Sequence, residues 1–238
     1  MEGVPSRAAR RTRRHFDESA PYYDQERARR DPSYRRLLQG MVWLLDLPRD
    51  RPAHILELGV GTGNQTRLLL REFPEARVTG YDLSPAMLAR ARRKLAPFGE
   101  RARLIEADFS AGLTGGPYAA VLSANAIHHV PRARQSALWE RLFSLLRPGG
   151  QVIIAEPFWP PGETLRDLYW GAQRRALADA GVEVRDHDRE LARRSRHSGH
   201  GVTVTEYLAR LRRAGFVEVD CPWREWGRAI VHARRPLT

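Results

Sequence analysis

Three glycines and one carboxylate carry the first chemical signal in this chain. Gly59, Gly61 and Gly63 sit in Glu57-Leu58-Gly59-Val60-Gly61-Thr62-Gly63-Asn64-Gln65-Thr66, directly after the apolar run that begins at Ile55. Glycine accepts positive φ and lets a ligand lie against main chain that a Cβ would screen. Thr62, Asn64 and Thr66 can cap the helix that follows, whose free N–H groups then face the ligand. Position 66 is Thr, so the last glycine of a dinucleotide-type loop is missing, and a turn of this kind can also be purely structural. What directs it toward a nucleoside is Asp82, which closes Val78-Thr79-Gly80-Tyr81-Asp82 about 20 residues downstream, where a doubly wound fold places its ribose-binding acid.

Other residues offer weaker chemistry. His128 and His129, in Asn125-Ala126-Ile127-His128-His129-Val130, follow the end of a strand-like segment. An imidazole with pKa near 6.5 suits proton abstraction at neutral pH. His187, His197 and His200 with Asp186 and Asp188 lack a compact ligand spacing, so no metal is expected. Trp223 and Trp226 fall in the turn expected between the last two strands, either as edge packing or as an apolar wall of a substrate pocket.

The elements that must hold these residues follow from hydrophobic periodicity. Strand and helix alternate from residue 53: strand 53–58, helix 63–72, strand 76–81, helix 84–96, strands 102–106 and 118–123, helix 132–146, strand 151–156. Such alternation needs right-handed crossovers and gives a parallel sheet with helices on both faces. Residues 216–221 and 229–233 supply two last strands. Upstream, Tyr34 opens a helix whose Leu37, Leu38, Met41, Val42, Leu44 and Leu45 recur at helical spacing and are expected in the core. Residues 157–212 form an insertion with Trp159, Tyr169 and Trp170 and one helix near 163–180, read as a substrate cover, since insertions at the carboxyl ends of strands surround the ligand crevice.

Size and composition set limits. With 238 residues the chain suits one large α/β domain: a basic tail over 1–14, expected to be disordered and solvated, and a single domain over 15–238. The charge is +12 and the sequence pI about 10.9, which would ordinarily suggest nucleic acid or an anionic membrane surface. Yet Lys94 is the one lysine, and an excess of arginine with abundant Ala, Pro and Gly resembles the coding bias of a GC-rich genome, so the basic balance argues only weakly for tRNA or other nucleic acid. The single cysteine, Cys221, excludes internal disulfides and a cysteine metal site, and fits a reducing cytoplasm. No apolar run approaches the ~18 residues of a membrane span, and the five arginines from Arg7 to Arg14 precede no secretory apolar stretch.

Glu57–Gly63 resembles the first motif of class I S-adenosylmethionine (SAM) methyltransferases, Asp82-Leu83-Ser84-Pro85-Ala86-Met87 their second-strand motif, and Leu146-Arg147-Pro148-Gly149-Gly150 the turn before their fifth strand. The resemblance covers the chain from about Phe16 to Arg234. It implies a Rossmann-like, doubly wound seven-stranded sheet with an antiparallel C-terminal edge hairpin, and a helical lid over 15–47 beginning with Phe16-Asp17-Glu18-Ser19-Ala20-Pro21-Tyr22-Tyr23-Asp24. It implies SAM as cofactor and a small-molecule acceptor. The SAM-binding residues it implies are Tyr34, Gly59, Gly61, Gly63, Asp82, Leu83, Asp108, Phe109 and Asn125. Among these the glycine loop meets the amino-acid part, Asp82 takes both ribose hydroxyls, Asp108-Phe109 meets the adenine, and Asn125 lines the methionine arm. Asp108 could instead cap a short helix. Paired histidines occur at this place in many resembled enzymes with very different substrates, so one of His128 and His129 is expected to be a packed residue bonded to backbone, and a catalytic base is the weaker reading for either. A further resemblance, carried by the leader, Tyr34, Asp82 with Ser-Pro-Ala-Met, Val202-Thr203-Val204-Thr205-Glu206 and Ala214-Gly215-Phe216, is to the carboxy-SAM synthase of tRNA wobble-uridine modification. That likeness would assign Arg193 or Arg194 to a carboxylate. The loop Val60-Gly61-Thr62-Gly63 departs from that synthase, which ranks it second. A SAM- or RNA-binding protein without catalysis is the third reading, and a dimer is compatible with all three.

Overall fold

Runs of β-branched and small apolar residues form seven strands: β1 (Ala53–Leu58), β2 (Ala76–Asp82), β3 (Ala102–Glu106), β4 (Tyr118–Ala124), β5 (Leu146–Pro157), β6 (Val217–Glu225) and β7 (Arg228–Arg234). They make one sheet in the order β3-β2-β1-β4-β5-β7-β6, with β7 antiparallel to both its neighbours and the other pairs parallel. This computed structural model describes residues 7–31, 33–185 and 201–238. The helices are α1 (Arg7–Ser19), α2 (Tyr23–Arg30), α3 (Tyr34–Trp43), α4 (Asn64–Glu72), α5 (Pro85–Leu95), α6 (Arg132–Leu145), α7 (Glu163–Asp179) and α8 (Val204–Arg213). The seven-stranded Rossmann-like sheet with its terminal antiparallel hairpin is the architecture expected.

Strand alternation divides the core in two. Leu56, Leu58, Val152 and Ile154 pack with Trp139 and Leu142 of α6 and with Tyr207 and Leu211 of α8. Ile55, Ile153 and Ala155 point to the other face, against Leu37, Leu38, Met41 and Val42 of α3 and Leu69 and Leu70 of α4. Both faces are covered, as a sheet with buried parallel strands requires.

Two expectations are corrected, the disordered tail and the place of Trp223. The tail expected to be disordered is helical from Arg7: Ala9, Thr12 and Phe16 turn one face of α1 to the protein, and Arg13 pairs with Asp17 and with Glu106. Within the 15–47 segment, α3 buries its apolar stripe under the sheet, as its helical spacing leads one to expect. Within the 157–212 segment, α8 opens with a capping box between Thr203 and Glu206 and packs into the first core. Finally, β6 runs on to Glu225, so Trp223 pairs with Ile230 in the strand and only Trp226 occupies the turn. The metal-type residues 186–200 and Arg193 and Arg194 lie outside the described residues.

Candidate active site

The carboxyl ends of β1, β2 and β4 open onto one cavity, lined by Gly59, Gly61, Asp82, Leu83, Asp108, Phe109, Asn125, Ala126 and His129 and roofed from α1 and α2 by Ala9, Thr12, Phe16 and Tyr23. Two glycines are needed by geometry. Gly59 has φ +72° and a Cβ there would stand 2.3 Å from the Ala126 Cβ. Gly61 has φ +55° and a Cβ would meet no protein atom within 4 Å, so its missing side chain leaves room on the cavity side. Gly63, with φ +83°, precedes α4, and a Cβ there would crowd Leu95 and Ala91 of α5; it shapes the loop and does not line the cavity.

Asp82 is buried and bound to this loop. Its Oδ2 accepts from the Gly61 N–H at 2.7 Å and its Oδ1 from the Ser84 N–H at 2.9 Å. Burial pushes its pKa up, against the pull of those backbone donors. Asp108 receives both the Ser110 N–H (2.9 Å) and the Ser110 hydroxyl (2.7 Å) on Oδ1, and its carbonyl accepts from Ala111. It therefore closes a turn rather than capping a helix, and Oδ2 takes neither bond. Asn125 has φ +57°, rare for a residue with a Cβ, and its Nδ2 is buried with no partner among the described residues. A buried donor without an acceptor is costly and points to a ligand group that completes it.

The histidines divide. His129 lines the cavity, edge-on to Phe16 with ring centroids 5.2 Å apart. His128 turns to Glu156, whose Oε2 lies 2.5 Å from its Nδ1. Glu156 is 3% exposed, and its Oε1 also accepts from the backbone N–H groups of Ala126 and Ile127. Glu156 thus pins the turn between β4 and α6, and an Nδ1–H directed at it leaves Nε2 of His128 able to accept a proton. Tyr34 is not brought to the cavity. Its ring lies under the Arg27 guanidinium, 4.9 Å away, and burial pushes its hydroxyl pKa up.

Sequence reasoning missed Glu156, the roof residues Ala9 and Thr12 of α1, and Glu57 as a buried acid. Glu57 is 2% exposed and accepts from the Thr66 hydroxyl at 2.6 Å. Burial first, and then the neighbouring Asp82, push it up to about 8. Among the described residues no cluster of three metal-type side chains occurs, and no helix is long and apolar enough to cross a membrane.

A doubly wound sheet with a glycine loop, a buried acid at the end of its second strand and an orphaned amide beside them defines a nucleoside-binding enzyme of the SAM-dependent type. The chain belongs to the class I SAM-dependent methyltransferases. A family model described as a methyltransferase domain matches residues 55–150. The chain is 31% identical to an uncharacterized methyltransferase of Geobacillus thermodenitrificans over 69% of its own length and 75% of that protein. It is 37% identical to the trans-aconitate 2-methyltransferase of Paracidovorax citrulli over 58% of its length, spanning about half (53%) of that relative. In fold it is similar to DhpI, solved as a SAM–HEP complex, with TM-score 0.64, 22% identity and coverage of 97% and 100% of the two chains. The protein is therefore an enzyme with SAM as its cofactor. Its cavity fits that cofactor: the Gly61 cradle is open, Asp82 is a buried carboxylate at the cavity, Asp108 and Phe109 line it, and Asn125 Nδ2 awaits an acceptor.

Proposed function

We propose that this enzyme transfers the SAM methyl group to a small-molecule acceptor held between the strand ends and the 157–185 segment, under a lid formed by α1 and α2. The observation that carries this reading is the roofed cavity, with the unpartnered Asn125 amide at its β4 end and Phe16 and Tyr23 closing it from above. The relative named for trans-aconitate, a small acid, supports an acceptor of that scale.

SAM supplies a methyl group already activated on a sulfonium, so the chain has little covalent work to do. Asp82 holds the ribose, Asn125 donates to the amino-acid end, and the apolar edges of Phe16, Phe109 and Val130 keep water from the reacting atoms. His129 lines the same cavity and fixes the position of Phe16. On this reading a methyl acceptor that is already anionic at neutral pH needs no base from the protein.

Formation of S-adenosylhomocysteine (SAH) from SAM across a panel of small acids, phenols and amines, with bulk tRNA as a parallel substrate, tests the reading. Turnover on a small molecule supports it. Methylation of tRNA alone would overturn it.

A further inference from the structure

Asp24, at the start of α2, reaches out of the lid to the glycine loop. Its Oδ1 accepts from the Thr62 hydroxyl at 2.6 Å and from Asn64 Nδ2 at 3.0 Å, and its Oδ2 accepts from Lys94 Nζ at 2.7 Å. Lys94 closes the ring: its other bonds go to Asn64 Oδ1 at 2.5 Å and to Thr62 Oγ1 at 3.2 Å. Four elements meet in this cluster: α2, the glycine loop, the first residue of α4 and the last turn of α5. The lysine side chain is 19% exposed and the aspartate 31%. Burial would raise the Asp24 pKa, but Lys94, Thr62 and Asn64 outweigh it and leave the pKa lowered, so the carboxylate stays charged.

The residue type is informative. The chain holds 40 basic Lys and Arg residues, of which Lys94 is the one lysine. An ammonium has three donors that spread tetrahedrally, and here all three find acceptors at one compact point. A planar guanidinium spreads its donors in a flat fork instead of a tetrahedron. Elsewhere this chain carries its positive side chains on arginine; at this site it uses its one lysine, with all three ammonium donors engaged.

We infer that Asp24 and Lys94 are positioning residues for the cofactor site: together they latch the lid onto the glycine loop, and the latch sets how fast cofactor and product leave. Tyr23 precedes Asp24 and lines the cavity, with its ring 6.4 Å from that of Phe16, so anchoring Asp24 fixes two roof residues over the ligand. The same ring of bonds holds Thr62 and Asn64, between which Gly63 turns, and so couples loop shape to lid closure. The inference rests on the lid reading above and adds the contact that holds the lid shut.

The test uses SAH as probe on the full-length protein and on the variants Asp24→Asn, Lys94→Met and Lys94→Arg. Stopped-flow dissociation of SAH is expected to speed up about tenfold or more in all three, as loss of a charge-assisted bond predicts, with Lys94→Arg failing to rescue. In steady state the change is expected in KM for SAM, with kcat unchanged or raised where product release limits it. Because Lys94 carries the one ε-amine, its acetylation by an N-hydroxysuccinimide ester, read by mass spectrometry, reports the latch directly. SAH should slow it in the wild type and not in Asp24→Asn. Apo melting temperatures identify any variant that has simply unfolded, and the isosteric Asp24→Asn remains decisive if the lysine variants do. Wild-type SAH dissociation in Lys94→Arg, or equal dissociation rates in Asp24→Asn and wild type, would overturn the latch while leaving SAM binding intact. Failure of the wild type to bind SAH would instead remove the functional reading beneath it.

Discussion

Replacing Asp82 by Asn separates what the site costs from what it does. The carboxylate is buried, with one backbone N–H on each oxygen. Each ribose hydroxyl adds a charge-assisted bond worth about 1.5–3 kcal/mol. Asn keeps one acceptor oxygen and loses the charge, so about one such bond is lost, equivalent to roughly 10- to 150-fold in Kd for SAM. Stability moves otherwise. Burial raises the pKa of Asp82 above its unfolded value, so the ionised form disfavours the fold at every pH above that value, and removing the charge relieves this. Against that gain, the amide directs an N–H at Gly61 or Ser84, leaving one backbone donor unsatisfied at about 1–3 kcal/mol. The two terms offset, and the apo melting temperature should shift by no more than about 4 °C. Isothermal calorimetry with SAM and SAH, alongside melts with and without ligand, measures both. Affinity within about threefold of wild type, under about 0.7 kcal/mol on the scale of about 1.4 kcal/mol per tenfold, would refute the ribose assignment. A collapse of the apo melting temperature would show that Asp82 serves the loop first.

Three further outcomes follow from the same structure. Glu57→Gln should flatten the pH dependence of apo stability: the folded pKa of about 8 exceeds the ordinary glutamate value of 4.5, so stability is fully present below 4.5 and falls as pH rises toward 8, at up to about 1.4 kcal/mol per unit; urea titrations giving equal slopes for the two proteins would contradict this. His128→Gln should retain turnover within about tenfold, below the roughly 10²–10⁴ that a general base contributes, since Glu156 still holds Ala126 and Ile127. A thousandfold loss, with one ionisation near pH 6–7 in the wild-type profile, would make this imidazole the base. Hydrogen exchange across residues 15–34 should slow on saturation with SAH; unchanged protection would remove α2 from the lid.

What was legible in the sequence followed local rules. Strand alternation, the glycine loop and Asp82 at the end of β2 are each written in contiguous residues, and the structure brings Gly59, Gly61, Asp82, Leu83, Asp108, Phe109, Asn125 and His129 to one cavity. The missed features depend on distant partners. Five arginines concealed the Ala9–Thr12–Phe16 face of α1, whose amphipathic spacing was present in the same residues. Glu156 reads as one more acid at a strand end until the turn after β4 folds over it. Tyr34 rests on the likeness to the family, and its ring lies under the Arg27 guanidinium. Asp24 and Lys94 lie 70 residues apart, and only the rarity of lysine in this chain marked the pair. The Thr203–Glu206 capping box was a local signal for α8 and was readable as such.

Native mass spectrometry of the protein as purified, with released ligand identified by its accurate mass, tests the central claim most directly. Methyl transfer from SAM predicts SAM or SAH in the cavity, with added SAM converted to SAH when an acceptor is supplied. Carboxy-SAM as the retained ligand would contradict it and assign the site to the synthase reaction.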